Sequence, residues 1–581
     1  MSRRWWTITC LSFVLIFAIS TYMMVQRQMD QDLWGYLPLY QFSAAWLLLL
    51  AVVNRKVLCT EQGLINYSLA TGTALLLALG FPPFPLPMVT CFAFIPLLVV
   101  IHRSESRGET FLMLLHTFVL WNVWATYWVA NTAYAAGIFA NLVNAGLMTI
   151  PILLYLAIVR RLGSSVGLLA FATTWIAFEF LHMRWDLHWP WLTLGNGLSN
   201  MPYGIQWYSL TGTLGGSLWI LVSNHLGYQL YTSGNWKFRK SWWLITSWLM
   251  IPFIVSVIQY LNHQDQGRRI EVVSVQPNLE PHYEKFSYPP NLILDRFIEL
   301  SAGAVRDSTD YLIFPETSIS QVNLDRPFDD PSMRSLRTYL QGYPDLRLIT
   351  GLEAYRILED PEDLTRSTTR PVRTSNGEQV YLEAYNGAVQ MDAAGGIQES
   401  YKAMYVPGAE YFPFKRFLFF LQPLVDRLGG TSYGYRIRSK FDLFSTEDAD
   451  IAPSICYESI FGEFTSRFIA KGAQAIFIMT NDGWWDNTAG HKQHAAYARL
   501  RAIESRRSIA RSANMGTCCF INQRGDLLQG TEYGVPGAIR GEIALNDDLT
   551  FYIQWGDVIG RLSVFITVLL LLRTLVKKML P

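Results

Sequence analysis

The sequence is poor in cysteine, and its few cysteines form no metal-binding pattern. There are six in 581 residues, namely Cys10, Cys59, Cys91, Cys456, Cys518 and Cys519. No CxxC pair and no Cys/His spacing typical of zinc sites occurs, so neither a disulfide framework nor a zinc site is predicted. His491 and His494 in GHKQH are better explained as the start of a structural helix than as metal ligands, because no carboxylate stands beside them. We expect no metal and no other cofactor.

The sequence also lacks an excess of either charge. Its 47 Lys and Arg residues are balanced by 46 Asp and Glu residues, which leaves a net charge of +1. Because nucleic-acid binding depends on positive side chains that neutralise phosphates, this balance provides no case for a nucleic-acid partner. The sequence also contains no evident internal repeat or low-complexity tract. A chain of this length is therefore expected to form several ordinary domains.

Charged residues are scarce in two parts of the chain. Residues 1–262 and 558–576 consist mainly of apolar segments, whereas residues 263–557 have the charge content of a soluble α/β domain. Overall 51% of the residues are hydrophobic and 20 are Trp, as in membrane proteins with aromatic belts at the bilayer surfaces. We predict a polytopic membrane domain of about nine helices at 1–262, a catalytic domain at 263–557, and a transmembrane helix with a short tail at 558–581.

Ten apolar segments have roughly the length that a bilayer requires. The first follows MSRRWW and shows no small-x-small cleavage site before Gln26, so it is predicted to be a retained span and not a signal peptide. The predicted spans are 7–25, 37–53, 64–81, 87–102, 110–130, 138–159, 164–182, 205–230, 242–261 and 558–576.

Basic residues cluster in every second loop between these spans. The pattern begins with Arg3 and Arg4 before the first span and ends with Lys577 and Lys578 after the tenth. By the positive-inside rule both termini are cytoplasmic. Residues 263–557 then lie on the opposite face, which in a bacterium is the periplasmic face of the inner membrane.

Three reactive side chains stand at or near the ends of apolar runs in the soluble region. Glu316 closes the strand in YLIFPETS, Cys456 closes the strand in IAPSICYE, and Lys402 stands between them in YKAMYVPGAE. Taken singly, each has an ordinary interpretation: a helix-capping acid, a buried structural thiol or a solvated lysine. Together they are a carboxylate, a thiol and an ammonium, which covalent acyl transfer uses to accept a proton, to attack and to stabilise an oxyanion.

The local sequence also predicts how two of these groups ionise. A helix after Cys456 would place its positive N-terminal end at the thiol and favour the thiolate. Burial at a strand end would raise the pKa of Glu316 into a range useful for a general base.

In this order and with these flanks, the motifs resemble the nitrilase (carbon–nitrogen hydrolase) superfamily. FPET, a Lys before VPxxE, ICYE and TNDGWW cover roughly residues 268–540, and strands alternate with helices around them, which predicts a layered α/β sandwich. The resemblance implies an αββα fold with Glu316 as general base, Lys402 as oxyanion donor and Cys456 as nucleophile. The chain departs from the family in having VPGAE for VPFGE and TNDGWW for TNDAWF-like sequences, and these changes leave the three residues intact.

The resemblance also indicates supporting residues. Glu410 and Glu458 match further acids of the family, and they act either at the site or by hydrogen bonding to backbone groups. Asn481 is expected to shape a loop beside the site, and Trp484 either contacts acyl chains or packs.

With its membrane spans, the whole chain is similar to the membrane-embedded acyltransferases of that superfamily. The similarity implies a ping-pong reaction, in which Cys456 takes an acyl chain from a phospholipid as a thioester. The chain then passes to the α-amine of a diacylglyceryl-cysteine on an apolipoprotein. A monomer is expected. Two alternatives stay open: a membrane-tethered amidase or hydrolase that uses the same three residues, and a non-catalytic membrane scaffold.

Overall fold

The computed structural model divides the chain into two compact units. The helical unit comprises Met1–Asn262, Thr488–Ala496 and Trp555–Pro581, and the sandwich unit comprises His263–Asn487 and Tyr497–Gln554. The residues that the structure describes are 3–104, 106–233, 239–285, 287–358, 368–373, 377, 379–418, 420, 434–437 and 440–579.

The helical unit consists of α-helices joined by short 3-10 helices. Its α-helices are Arg3–Met29, Leu37–Val53, Arg55–Leu58, Glu61–Leu79, Ile95–Arg103, Arg107–Thr126, Val129–Thr132, Tyr134–Leu162, Gly167–His182, Tyr208–Thr211, Thr213–Ser233, Arg239–Asn262 and Val558–Met579. The 3-10 helices are Pro87–Phe92, Ser164–Val166, Pro190–Leu192, Leu194–Asn200 and Pro202–Gly204.

Five helices in the described part of the chain are long and apolar enough to cross a membrane. They are Arg4–Met29, Tyr134–Leu162, Ser164–His182, Trp242–Asn262 and Val558–Lys578. Leu37–Val53 and Pro87–Arg103 are apolar but shorter. The prediction of a membrane protein is therefore confirmed, whereas the count of ten spans and their orientation stay predictions.

A buried acid ties a loop of the helical unit to a neighbouring helix. Glu179 lies near the end of Gly167–His182, and one of its carboxylate oxygens accepts the indole N–H of Trp175 at 2.9 Å. The same oxygen accepts the backbone N–H of Leu194 at 2.8 Å. Since unpaired polar groups are costly among apolar helices, these bonds stabilise that carboxylate oxygen there.

A single amide side chain connects several loops of the helical unit. The Oε1 atom of Gln493 accepts the indole N–H groups of Trp191 at 2.5 Å and Trp128 at 3.2 Å. Its Nε2 atom donates to the carbonyl oxygens of Pro82 at 2.9 Å and Ala125 at 3.0 Å. Gln493 is 1% exposed, and its amide uses both donors and both acceptor positions, which fixes these segments relative to one another.

The sandwich unit contains two β-sheets. In chain order its strands are β1 Arg269–Gln276, β2 Tyr311–Ile313, β3 Ile319–Asn323, β4 Arg347–Leu358, β5 Thr369–Arg373, β6 Gln379–Met391, β7 Ile397–Tyr401, β8 Phe444–Ser445, β9 Asp450–Ile455, β10 Ala475–Thr480, β11 Ser508–Ala513, β12 Cys519–Ile521, β13 Leu527–Gly530 and β14 Gly537–Ala544. Its α-helices are Pro290–Ala302, Pro331–Gln341, Lys415–Leu418, Gly462–Ile469, Ala489–Ser505 and Phe551–Trp555. The helix Ala489–Ser505 begins in the helical unit.

The first sheet has eight strands and the second has six. The first has the order β14-β1-β2-β4-β6-β5, with β3 beside β4 and β7 beside β6. The second has the order β13-β12-β11-β10-β9-β8. β1, β2 and β4 are mutually parallel, as are β9, β10 and β11, so the chain must cross over between them through helices.

Apolar side chains of both sheets form one core between them. Ile313 and Ile349 of the first sheet share a buried cluster with Ile455, Phe477 and Phe520 of the second. The parallel strands carry almost continuous buried runs, as expected of strands covered on both faces.

Helices cover the outer face of the first sheet. Leu294 and Phe297 of one helix and Leu336 and Leu340 of another pack into a second buried cluster with residues of β1, β2 and β4. The helix Gly462–Ile469 contacts β9 of the second sheet. This layered α/β sandwich confirms the predicted fold class.

A buried ion pair joins the helix Ala489–Ser505 to the turn after β9. Arg501 donates from Nε and Nη2 to the two carboxylate oxygens of Glu504, each at 2.7 Å. It also donates to the carbonyl oxygens of Ser459 and Ile460. Both side chains of the pair are at most 2% exposed, so each buried charge needs the other to offset the cost of its desolvation.

We expect Glu504→Ala to lower the free energy of unfolding by about 3–5 kcal/mol, because it leaves the Arg501 charge buried without its partner. The matched control is Asp448→Ala, which breaks a solvent-exposed pair with Arg268 and should change stability little, because solvent screens such a pair. Denaturant titration of the purified protein, followed by Trp fluorescence, measures both. Equal losses in the two variants would contradict the argument.

Candidate active site

Glu316 lies just after β2 and is held by contacts to both its backbone and its side chain. It is 5% exposed, and its Oε1 atom accepts Nζ of Lys402 at 2.9 Å and Nδ2 of Asn386 at 3.0 Å. Gly351 of β4 contacts its backbone so closely that an added Cβ would lie 2.6 Å from the Glu316 Cα. Only glycine fits there, so β4 packs directly against the backbone of the turn that carries Glu316.

Lys402 follows β7 and is almost completely buried. Its backbone N–H donates to the carbonyl oxygen of Asn386 at 2.8 Å, and the side chain is 1% exposed. Its Nζ atom bridges Glu316 at 2.9 Å and Glu410 at 2.6 Å. Burial alone would lower the pKa of Lys402, but the two carboxylates raise it well above its ordinary value.

Cys456 begins the turn after β9 and has a left-handed backbone. Its φ is +50°, a conformation that non-glycine residues rarely adopt, and the residue is 7% exposed. The β9–β10 register pairs Ile455 with Met479, so Thr480 comes opposite Cys456. Two neighbouring strands thus determine where the cysteine lies.

Both predicted pKa shifts have the wrong direction, for reasons of burial and charge. Cys456 begins a five-residue 3-10 helix, and the predicted α-helix follows only at Gly462–Ile469, so the N-terminal end of that helix is not at the thiol. Burial, together with the charges of Glu316 and Glu410, raises the pKa of the thiol far above its ordinary value, although Lys402 opposes this. For Glu316, burial acts to raise the pKa, but Lys402 and the amide of Asn386 outweigh it, so that the pKa falls.

The structure therefore brings the three predicted residues together. Lys402 contacts Glu316 directly, and one carboxylate, that of Glu458, hydrogen-bonds the backbone next to Lys402 and the backbone next to Cys456. At neutral pH the resting site holds an ionised carboxylate, an ammonium and a neutral thiol. Such a set can accept a proton, stabilise an oxyanion and attack a carbonyl carbon.

Glu410 is a second carboxylate on the same ammonium. Its Oε1 atom accepts Nζ of Lys402 at 2.6 Å, and its Oε2 atom accepts the backbone N–H of Val406 at 2.7 Å. Burial and the negative charge of Glu316 raise the pKa of Glu410 against the opposing effect of Lys402. Glu410 therefore orients Lys402 and also closes the loop in which it lies.

Glu458 hydrogen-bonds the backbone on both sides of the site. Its Oε1 atom accepts the N–H of Ala403, the residue after Lys402, at 2.6 Å. Its Oε2 atom accepts the N–H of Ile455, the residue before Cys456, at 2.8 Å. The side chain is 0% exposed, so this carboxylate joins the lysine loop to the cysteine turn.

The TNDGWW segment forms the turn after β10. Asn481 accepts the amide N–H of Asn514 at 3.0 Å and the backbone N–H of Gly483 at 3.3 Å, as expected of a residue that shapes a loop. Trp484 is half-buried and packs edge-on against His282, with ring centroids 5.0 Å apart. This contact accounts for packing, whereas contact with an acyl chain stays a prediction.

Three residues near the reactive groups were not found from the sequence. Asn386 lies in the buried half of β6, where other polar residues also occur, and Thr480 ends the apolar strand β10, so the sequence signal for either residue is weak. Lys285 lies in an irregular loop without any pattern, yet it is 6% exposed and donates to the carbonyl oxygen of Glu316 at 3.0 Å. Among the described residues, no group of three or more His, Cys, Asp or Glu is placed to hold a metal ion.

Comparison with known proteins finds two family matches. Residues 73–226 match the apolipoprotein N-acyltransferase N-terminal domain, and residues 274–547 match the carbon-nitrogen hydrolase domain.

Similar proteins cover nearly the whole chain. The apolipoprotein N-acyltransferase of Chlorobaculum tepidum is 28% identical over 522 residues, which is 87% of this chain and 96% of that protein. The Geobacter metallireducens protein of the same name is 24% identical over 510 residues, with 85% and 92% covered. A nitrilase-superfamily structure from Saccharomyces cerevisiae has 15% identity and a TM-score of 0.33, and the match covers 51% of this chain and 97% of that one.

We expect Glu458→Gln to lower the free energy of unfolding by about 1–3 kcal/mol. An amide offers one acceptor oxygen for two backbone N–H groups, so one buried N–H is left without a partner. Glu447→Gln, on an exposed acid of the same unit, is the control and should change stability by less than about 0.5 kcal/mol. If thermal and denaturant unfolding show no difference between the two variants, the bridging role of Glu458 is wrong.

Proposed function

The chain belongs to the apolipoprotein N-acyltransferase family, and from that premise we propose that it N-acylates lipoproteins with an acyl chain taken from a phospholipid. It is an acyltransferase that acts in lipoprotein maturation. The observation that carries the proposed chemistry is the buried contact between Lys402 and Glu316 beside the Cys456 thiol. The acyl chain would pass through a thioester on that sulfur.

In the first half-reaction, Glu316 takes the proton of the Cys456 thiol while the sulfur attacks the carbonyl carbon of a glycerol ester. Because the thiol has a raised pKa and the carboxylate a lowered one, a free thiolate is disfavoured in the resting site. We infer that proton transfer accompanies attack. The oxyanion of the tetrahedral intermediate receives a hydrogen bond from the Lys402 ammonium.

Collapse of this intermediate breaks the bond to the glycerol oxygen. The proton held by Glu316 goes to that oxygen, so a lysophospholipid with a free hydroxyl leaves and a thioester remains on Cys456. The carboxylate is then ionised again, ready for a second proton.

In the second half-reaction, the α-amine of a diacylglyceryl-cysteine attacks the thioester carbon. Glu316 accepts the amine proton and returns it to the departing sulfur, which restores the thiol and leaves an amide on the lipoprotein. Exclusion of water during this step decides between transfer and hydrolysis. Glu410 and Glu458 support the reaction by holding Lys402 and the cysteine turn in place.

The membrane helices support a lipid substrate. A donor and an acceptor that are both anchored in lipid require an enzyme that stays at the bilayer, and the chain has at least five helices suited to it. We place the protein in a bacterial inner membrane, with both termini cytoplasmic and the catalytic domain periplasmic, on the distribution of basic residues between the predicted spans.

The test is intact mass spectrometry of the purified protein after incubation with one defined phospholipid and no acceptor. We expect a mass increase of one acyl chain, lost on hydroxylamine treatment and absent in Cys456→Ala. Cys59→Ala, which removes an exposed cysteine, should keep the adduct. A synthetic diacylated lipopeptide should then discharge the thioester and gain the chain.

Other outcomes separate the alternatives. A folded, lipid-bound protein that forms no adduct but releases acid from small amides is a membrane-tethered amidase. A Cys456→Ala variant that still complements a strain lacking the activity would identify a scaffold.

A further inference from the structure

Lys285 is a buried lysine that the proposed reaction does not use. It lies in the loop between β1 and the helix Pro290–Ala302, and its side chain is almost closed off from solvent. Its Nζ atom donates to the carbonyl oxygen of Glu316 at 3.0 Å and to the hydroxyl of Thr317 at 2.6 Å. Burying an ammonium carries a desolvation cost that an apolar residue of similar length would avoid, so these contacts call for an explanation.

Both acceptors belong to the turn that carries the general base. Thr317 has a φ of +49°, in the left-handed region that β-branched residues rarely occupy. Gly351 of β4 exchanges backbone hydrogen bonds with this turn, donating to Pro315 at 3.2 Å and accepting from Ser318 at 2.9 Å. The strand therefore holds the ends of the turn, and Lys285 holds its middle.

Among the described residues, three ionisable groups act electrostatically on the Lys285 ammonium. They are the carboxylate of Glu316, the carboxylate of Glu353 on β4 and the thiol of Cys456. Burial lowers the pKa of Lys285 to about 8, because desolvation outweighs the attraction of these groups. In return Lys285 adds to the effect of Lys402 in lowering the pKa of Glu316.

We propose that Lys285 is the positioning residue of the general base, and that its ammonium holds the Glu316–Thr317 turn in the orientation that directs the carboxylate to Lys402 and Cys456. This assignment rests on the proposed function, since it concerns the same acylation step. Lys402 bonds the carboxylate of Glu316 itself, whereas Lys285 bonds the backbone carbonyl oxygen of Glu316. The two lysines are therefore not interchangeable.

The proposal predicts a basic limit on acylation. Above pH 8 the Lys285 side chain loses its proton, and its charge-assisted hydrogen bonds to the turn weaken. Glu316 remains ionised and Lys402 remains protonated in this range, because the pKa of the first is lowered and that of the second is raised. The rate of thioester formation should thus fall as pH rises through about 8.

The experiment measures single-turnover thioester formation by the full-length protein in phospholipid nanodiscs, without acceptor, between about pH 5 and pH 10. We expect Lys285→Met to lower the rate about 100-fold at neutral pH, as for a misplaced catalytic group, with the half-saturating lipid concentration unchanged. The decline above pH 8 should disappear in this variant. The acidic limit should move to higher pH, because Glu316 loses a neighbouring positive charge.

Two further variants keep the test decisive. Lys471→Met removes an exposed lysine that also donates to a carbonyl oxygen, that of Phe441, and should leave the rate and its pH profile unchanged. Thr317→Val removes one acceptor and keeps the ammonium, so it should reduce the rate while retaining the decline above pH 8. If Lys285→Met does not fold, an unreduced rate in Thr317→Val overturns the proposal.

The outcomes also separate this proposal from the proposed function. If the unaltered protein forms no thioester, the proposed function fails. If it forms one, and Lys285→Met forms it at the same rate or with an unchanged pH profile, Lys285 is not the positioning residue.

Discussion

A positive charge buried between two carboxylates is the interaction on which the candidate site depends. Lys402 is 1% exposed and contacts Glu316 and Glu410 at 2.9 and 2.6 Å. Removing one member would leave an uncompensated charge in a low-dielectric interior, so the three groups form one unit. The ammonium also lowers the pKa of Glu316 and so keeps this carboxylate ionised, as the proposed role of general base requires.

The other residues of the site hold this charge cluster and the thiol in fixed positions. Cys456 and Thr317 both have left-handed backbones, and such conformations persist only where surrounding contacts determine them. Glu458 supplies such contacts next to the cysteine, and Gly351 and Lys285 supply them at the Glu316–Thr317 turn. A neutral thiol is a weak nucleophile, so the resting site depends on proton transfer before the sulfur can attack.

Much of the fold and function could be predicted from local sequence. Apolar segments with basic residues at alternate loops predict a membrane protein, and strand–helix alternation predicts an α/β sandwich; both are confirmed. The ordered motifs predicted the acyltransferase family, which the comparisons confirm. The roles of Glu316, Lys402 and Cys456 stay predictions, but these residues could be named because each lies in a recognisable motif close to the end of a strand.

Contacts between distant parts of the chain could not be predicted from local sequence patterns. Glu316 and Lys402 are 86 positions apart, and the carboxylate of Glu458 reaches Ala403 across 55 positions. Lys285 has no motif at all. The ionisation of Cys456 and Glu316 also depends on summed burial and charge, which is why the predicted directions were wrong. The sequence by itself determined which reactive groups the protein carries and that it combines membrane helices with an α/β sandwich. Only the tertiary structure decided which backbone groups position the reactive side chains and which of these side chains are protonated. The reason is that desolvation and hydrogen bonding act between residues that are close in space and distant in sequence.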